Sequence, residues 1–410
     1  MKKKNQIAII GGGAAGFFTA INIKENNPSA NVVIYEKTNQ VLTKVKVSGG
    51  GRCNVTHACF DPTELIQYYP RGEKELRGPF HQFRTFDTIG WFANHGVELK
   101  TEDDGRLFPV SNDSQEIVDC FLNTCKEYQI KIELKKEVTA VNQPVDQFSI
   151  QFKDGKTTVV DQLVIASGGS SKLAAYDWIA KLGHSIIDPI PSLFTFNLSK
   201  HPITELMGLS VENVTINLEN STFETEGPLL ITHWGLSGPA VLKLSSIAAL
   251  ELNKRNYQFG FRINWLHEQD LDATIELIEN YKKEHPKRLI YKHKGVHIPT
   301  RLWEYLVKES LSNVSINYAD ISKKELNQLA SNLVAQQFKA NGKTTFKEEF
   351  VSCGGVDNKL IDFKTMESKV IPNLYFSGEV LNIDAVTGGF NFQSAWTTGF
   401  IAAKAIAEKA

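Results

Sequence analysis

Gly11, Gly13 and Gly16 stand in G-x-G-x-x-G spacing between an apolar, β-branched run (7–10) and an apolar helical stretch. Glu36 follows Gly16 by twenty residues, at the end of a second strand-like run, 31–35. That register suits a dinucleotide. Gly11 permits a tight strand-to-helix turn, Gly13 lets the backbone approach a pyrophosphate, and Gly16 lets the helix pack on the strand. Ala14 and Ala15 begin the helix, whose free N–H groups and positive dipole end attract phosphate. A carboxylate at Glu36 accepts hydrogen bonds from both ribose hydroxyls and repels a 2′-phosphate, so FAD or NAD fits better than NADP. The motif alone does not separate FAD from NAD.

Three further stretches bring glycines toward the same ligand. "KVSGGGRCNVTH" (46–57) carries a tri-glycine run, costly in conformational entropy unless the loop is shaped around something. Its Gly50 and Gly51 allow close backbone approach, Arg52 offers charge to a pyrophosphate, and Asn54 offers hydrogen bonds near a ring edge. Cys53 reads as a packed small residue rather than a redox thiol, and so does Cys353. A strand at 163–166 runs into Ser167 and Gly168. Near the C-terminus, "NLYFSGEVLNIDAVTGGFNFQSAWTTG" gives a strand, Gly378–Glu379, Asp384, and the turn Gly388, Gly389, Phe390, Asn391 before a small-residue helix. The N-terminal N–H groups of that helix are suited to negative charge on the pyrimidine side of a flavin. A site built from both chain ends fits FAD better than NAD.

For proton transfer, His233 in "LLITHWGLSGP" stands between an apolar strand and a glycine-bearing turn; the alternative is a structural histidine. Arg106 in "DDGRLFPVS" either orients an anionic or carbonyl substrate or pairs with Asp103 or Asp104.

The elements that must position these residues belong to a chain of 410 residues with 45 basic and 46 acidic side chains, net charge −1. No global field argues for nucleic acid or an anionic membrane, so a small-molecule substrate is expected, with a monomer or homodimer. Five cysteines with no Cys-x-x-Cys pair fit a reducing cytoplasm and argue against disulfides or a zinc site. The basic and apolar N-terminus mimics a signal peptide, but a glycine-rich break interrupts it, and no other apolar run approaches a membrane span. Nucleotide-type signals occupy 1–190 and return at 345–410. Between them, 191–266 reads as β-rich and 267–335 as largely helical, a domain inserted into an α/β nucleotide fold.

The blocks "IIGGGAAG", "KVSGGGRCNVTH", "GVELKTEDDGRLFPVS", "LVIASGG", "THWGLSGPAVLKLS", "SCGGVDNKLIDFKTMESK" and "NLYFSGEVLNIDAVTGGFNFQSAWTTG" span nearly the whole chain. Together they resemble the BaiN/YhiN-like family of FAD-dependent oxidoreductases, related to the glutathione-reductase-like flavoproteins. The resemblance implies a doubly wound Rossmann-like FAD domain with an inserted β-barrel-like plus helical domain. It carries FAD contacts to Ala15, Gly16, Glu36, Lys37, Lys44, Val138, Glu379 and the turn 388–391, with backbone at Val138 reading adenine. The segment after "SGG" is shorter than the family's, and Asn382 stands where an acid is usual.

The expected function is hydride transfer through flavin N5. Without a second G-x-G-x-x-G, NADH or NADPH would bind transiently as reductant, and the target is an activated C=C or C=O of a small organic molecule. One family association is with conjugated ketones of steroid-like acids. The alternatives are a flavin-binding regulatory or RNA-modifying-type protein, and an NAD-dependent dehydrogenase without flavin.

Overall fold

The computed structural model describes residues 5–267, 269–344 and 351–409. The chain divides into two units: Met1–Ser192 with Phe346–Ala410, and Leu193–Thr345.

In the first unit a parallel sheet is built around β1 (Gln6–Ile10). On one side lie β2 (Asn31–Tyr35) and β3 (Lys131–Glu133); on the other lie β4 (Gln162–Ile165) and β5 (Leu374–Phe376). The apolar residues of β1, β4 and β5 are buried, as expected of parallel strands covered on both faces. Strand order runs outward from β1 in one direction and then resumes on its other side. The crevice beyond the carboxyl ends of β1 and β4 is therefore a topological switch point, where open α/β sheets bind ligands. An antiparallel meander, Val138–Asn142, Phe148–Phe152 and Thr157–Val160, occupies the connection from β3 to β4.

Three helices matter for the site: α1 (Ala14–Asn26), α2 (Thr85–Asn94) and α3 (Phe390–Lys409). The small residues of α3 let it lie against α1: a Cβ on Gly399 would stand 2.9 Å from Thr19 Oγ1. Phe18 of α1 meets Trp396 of α3 and Trp91 of α2 at ring separations of 5.2 and 4.6 Å. The two ends of the chain are joined by this aromatic core.

The second unit is an antiparallel sheet in the order Gln336–Asn341, Gln258–Asn264, Ser210–Leu218, Glu224–Thr232, Gly235–Ser237, Thr195–Asn197, Lys343–Thr344. The first and last segments are consecutive in the chain, separated by Gly342 at φ +91°. The sheet thereby curls back on itself, with Phe196, Phe259, Phe261 and Phe338 packed in its core. Helices Leu271–Glu284, Thr300–Ser310 and Lys323–Ala335 belong to the same unit.

Candidate functional site

The chain leaves β1 at Gly11, β2 at Glu36, β4 at Ser167 and Gly168, and β5 at Gly378, all at the carboxyl edge of the parallel sheet. Two of the motif glycines serve packing. Gly11 has φ +117°, and a Cβ there would fall 2.2 Å from Ala166 O; one on Gly16 would fall 2.0 Å from Gly11 O. Gly13 differs, because a Cβ there would meet nothing within 4 Å. It precedes Ala14 and Ala15 at the start of α1 and supplies no side-chain cap, so the helix presents its amide end bare.

Glu36 is held by two amides: Gly12 N–H donates to Oε2 and Thr38 N–H to Oε1, each at 2.8 Å. A carboxylate has roughly four lone-pair directions, so each oxygen keeps capacity for a ribose hydroxyl. The segment leaving β3 runs beside it: Glu36 N–H donates to Glu133 O, and Lys136 N–H donates to Glu36 O. Val138, two residues further on, opens the meander half-buried. Lys37 is exposed.

Gly378 packs on the first turn of α1, where a Cβ would lie 2.6 Å from that of Ala15; its N–H donates to Thr398 Oγ1 of α3 at 2.9 Å. Lys44 and Glu379, each carried over as a cofactor contact, pair with each other at 2.6 Å. Glu379 also accepts from Ser352 N–H.

In the tri-glycine run the helix Thr43–Gly51 is broken at Ser48. Gly49, Gly50 and Gly51 then take φ of +59°, +69° and +85°. Cβ atoms on Gly50 or Gly51 would meet nothing, as at Gly168, so these left-handed turns border open space. The loop's polar side chains are otherwise engaged. Arg52, expected at a pyrophosphate, donates to Glu102 at 2.5 Å with its guanidinium 3.9 Å above the Phe108 ring. Arg106, expected either at substrate or in an ion pair, is paired with Asp104 and Glu102. Asn54, expected at a ring edge, bridges the loop instead: its amide donates to Thr56 O and accepts from Gly389 N–H, both at 3.0 Å. Cys53 is buried, and burial pushes its thiol up to about 12, far from the thiolate a redox centre needs. Cys353 is likewise buried, its thiol raised to about 11.

The turn before α3 closes over this loop. Gly388 and Gly389 have φ +136° and +95°, and a Cβ on Gly389 would lie 2.6 Å from Thr56 O. Asn391 spends its side chain on the turn, accepting from Ala385 N–H and donating to Ala385 O. Asp384, expected near the cofactor, is fully buried and held by Arg71 Nε at 2.6 Å and Ser192 Oγ at 2.7 Å, which makes it a structural anchor.

Reading the sequence missed an aromatic group at this turn. Phe390 stacks with Tyr68 (4.1 Å) and lies 4.5 Å from the His57 ring, while Tyr69 OH donates to Phe390 O. His57 Nδ1 is 3.1 Å from Gly388 O; a carbonyl only accepts, so this nitrogen carries the hydrogen. His57 was visible as the end of the glycine block, but its partner lies at the far end of the chain. His233 is in the second unit, exposed, with its ring edge-on to Trp234. The pocket expected around it is replaced by an exposed turn.

The first unit fits FAD. The bare end of α1 with the space beside Gly13 would hold the pyrophosphate, Glu36 the ribose, and the glycines at 50, 51 and 168 leave room for the chain and ring. Among the described residues, no helix is long and apolar enough to cross a membrane.

Comparison with known proteins agrees with this geometry. The family described as "HI0933-like protein Rossmann domain" matches residues 5–405. The chain is 32% identical to the ribosomal RNA dihydrouridine synthase of Escherichia coli K12, over 97% of this chain and 96% of that one. It is 25% identical to the 3-dehydro-bile acid Δ(4,6)-reductase of Clostridium scindens, over 99% and 100%. Among solved structures, the 3-ketosteroid-Δ4-(5α)-dehydrogenase of Rhodococcus jostii RHA1 shares the fold with a TM-score of 0.51 at 11% identity, covering 99% of this chain and 98% of that one. With a family match over almost its full length and the dinucleotide cradle it predicts, the chain belongs to the HI0933-like family of BaiN/YhiN-type FAD-dependent oxidoreductases.

Proposed function

We propose that this protein reduces the C5=C6 bond of uridine in ribosomal RNA, with NADH or NADPH as reductant. The observation that carries the reading is the end-to-end 32% identity with the E. coli ribosomal RNA dihydrouridine synthase. In this reading the small-molecule substrate expected from overall charge gives way to a polymer.

The chemistry is one the expected activated C=C already contained. The uracil C5=C6 bond is conjugated to the C4 carbonyl, so hydride adds at C6 and a proton at C5, giving 5,6-dihydrouracil while NAD(P)H becomes NAD(P)⁺. FAD, when bound, supplies the hydride from N5. The chain's own residues do the rest. The α1 amides and Glu36 fix the dinucleotide, and the α3 amide end stabilises negative charge near Phe390. His57 is the protonatable side chain at that turn, and we assign it the C5 proton in place of His233. Its Nδ1–H is committed to Gly388 O, so transfer would use Nε2. That nitrogen lies against Gly105, where a Cβ would fall 2.6 Å from Nε2, so only a glycine lets the ring sit there.

A second reading, reduction of a small conjugated ketone, is favoured by the 25% identity to the bile acid reductase. Both readings use the same flavin chemistry, so reoxidation separates them. The purified yellow protein, bleached anaerobically with NADPH or NADH, should regain its flavin absorbance when given protein-free ribosomal RNA. Reoxidation by steroid enones with RNA inert would reverse the preference, and a flavin bleached by neither nucleotide would remove the reductant from the proposal.

A further inference from the structure

We infer that residues 281–308 of the second unit form a binding surface for the phosphate backbone of RNA; this rests on the RNA reading above. Residues 281–308 carry eight lysines and arginines against two acids, Glu284 and Glu304, although the whole protein is balanced at 45 to 46. The segment links the end of helix Leu271–Glu284 to helix Thr300–Ser310.

Its backbone is anchored. Ile290, Val296 and Ile298 are buried, Trp303 Nε1–H donates to Ile290 O, Tyr318 OH donates to His293 O, and Tyr318 N–H donates to Arg288 O. A fixed loop presents its charges without paying to order them on binding. Lys282, Lys294 and Arg301 donate to the carbonyls of Ile321, Ile298 and Glu205. Lys283, Lys287, Arg288, Lys292 and Lys308 are exposed, and among the described residues none of them makes an ion pair. Lys292 and Lys308 both approach the Tyr291 ring, at 5.9 and 5.5 Å, which gathers two charges from different elements around one aromatic.

An ordinary solvated face mixes both signs; this one carries an uncompensated surplus interleaved with Tyr291, His293 and His297. That combination matches a polyanion with bases to stack. A lipid surface would need an apolar face beside the charges, and Leu289 is the exposed large apolar side chain of the segment.

The test compares the wild-type holoenzyme with a triple variant, Lys287→Glu, Arg288→Glu and Lys292→Glu, in filter binding to protein-free ribosomal RNA across a salt series. The expected result is affinity lowered about 10- to 100-fold at roughly 0.1 M salt, and a log–log salt slope reduced by about 2–3. FAD content and bleaching by NAD(P)H should be unchanged. If the triple variant misfolds, the Lys→Gln and Arg→Gln versions of the same positions replace it, with a smaller expected loss. Unchanged affinity and slope, in protein that still makes dihydrouridine, overturns the surface and leaves the proposed function standing. Wild-type protein that holds reducible FAD but neither binds nor modifies RNA removes both. Capture by phosphatidylglycerol vesicles but not RNA also overturns the surface.

Discussion

Single residues at the site divide into those that shape the fold and those that face a ligand. Gly16 and Gly13 belong to one motif, yet a Cβ at Gly16 would enter Gly11 O while one at Gly13 meets nothing. Gly16→Val should therefore cost several kcal/mol or prevent folding, whereas Gly13→Val should leave the melting temperature of FAD-free protein near wild type and strip FAD. Flavin absorbance after gel filtration checks both; full FAD retention in Gly13→Val would contradict the pyrophosphate assignment. Gly50→Val is less clean, since φ +69° strains any side chain with or without a ligand. Glu36→Gln should weaken FAD by about 1.5–3 kcal/mol, the range for hydrogen bonds to a charged group. His57→Gln should slow reoxidation by RNA roughly 10²- to 10⁴-fold with bleaching by NAD(P)H unaffected. Stopped-flow measurement of the two half-reactions separates these effects, and equal loss in both would make His57 structural. The glycine motif and Glu36 were legible because each has one job set by local geometry. Arg52 and Asn54 were not, because their partners Glu102 and Gly389 compete with a ligand, and residue type alone does not say which wins; for Arg106 the pair with Asp104 was one of two alternatives.

At the scale of elements, the contacts that hold helices together explain what the chain pattern left hidden. His95, just past α2, reaches back to Glu25 of α1: its Nε2 lies 3.0 Å from the carboxylate, and its Nδ1 donates to Trp91 O at 2.7 Å. When the ring is protonated both nitrogens donate, so these partners favour the cationic form. Burial opposes that charge, but Glu25 and the Trp91 carbonyl outweigh it and raise the pKa above its ordinary value near 6.5. A raised histidine pKa contributes stability that is fully present below about pH 6.5 and is lost as pH rises through the folded value. The melting temperature should fall over that interval by an amount equivalent to about 1 kcal/mol, and His95→Gln should flatten the profile. An unchanged profile in the variant would place the titration elsewhere. The Arg71–Asp384 pair is nearly dry, and Arg71→Leu should destabilise by about 3–5 kcal/mol by leaving a buried carboxylate alone. The helices and the parallel strands were readable from period and capping signals. The joining of α1 to α3 and the Phe390–Tyr68–His57 stack were not, because they pair residues from opposite ends of the chain.

For the whole molecule, near-neutral charge concealed a strongly basic segment, because a total says nothing about distribution. The residues assigned to the flavin all fall in the first unit and the proposed RNA surface in the second. Removing FAD should therefore lower the thermal stability of the protein by about 2.7 kcal/mol when FAD had stood at roughly 100 times its dissociation constant, read by calorimetry with and without added cofactor. RNA binding by the FAD-free protein should survive this treatment. The central claim is uridine reduction, and its most direct measurement is nucleoside mass spectrometry of ribosomal RNA incubated anaerobically with the holoenzyme and NADPH or NADH. Dihydrouridine appearing at a discrete site, dependent on the reductant and absent with Gly13→Val protein that has lost FAD, is the predicted result. Ribosomal RNA that stays free of dihydrouridine, while the same protein sample reduces a small conjugated ketone, would contradict it.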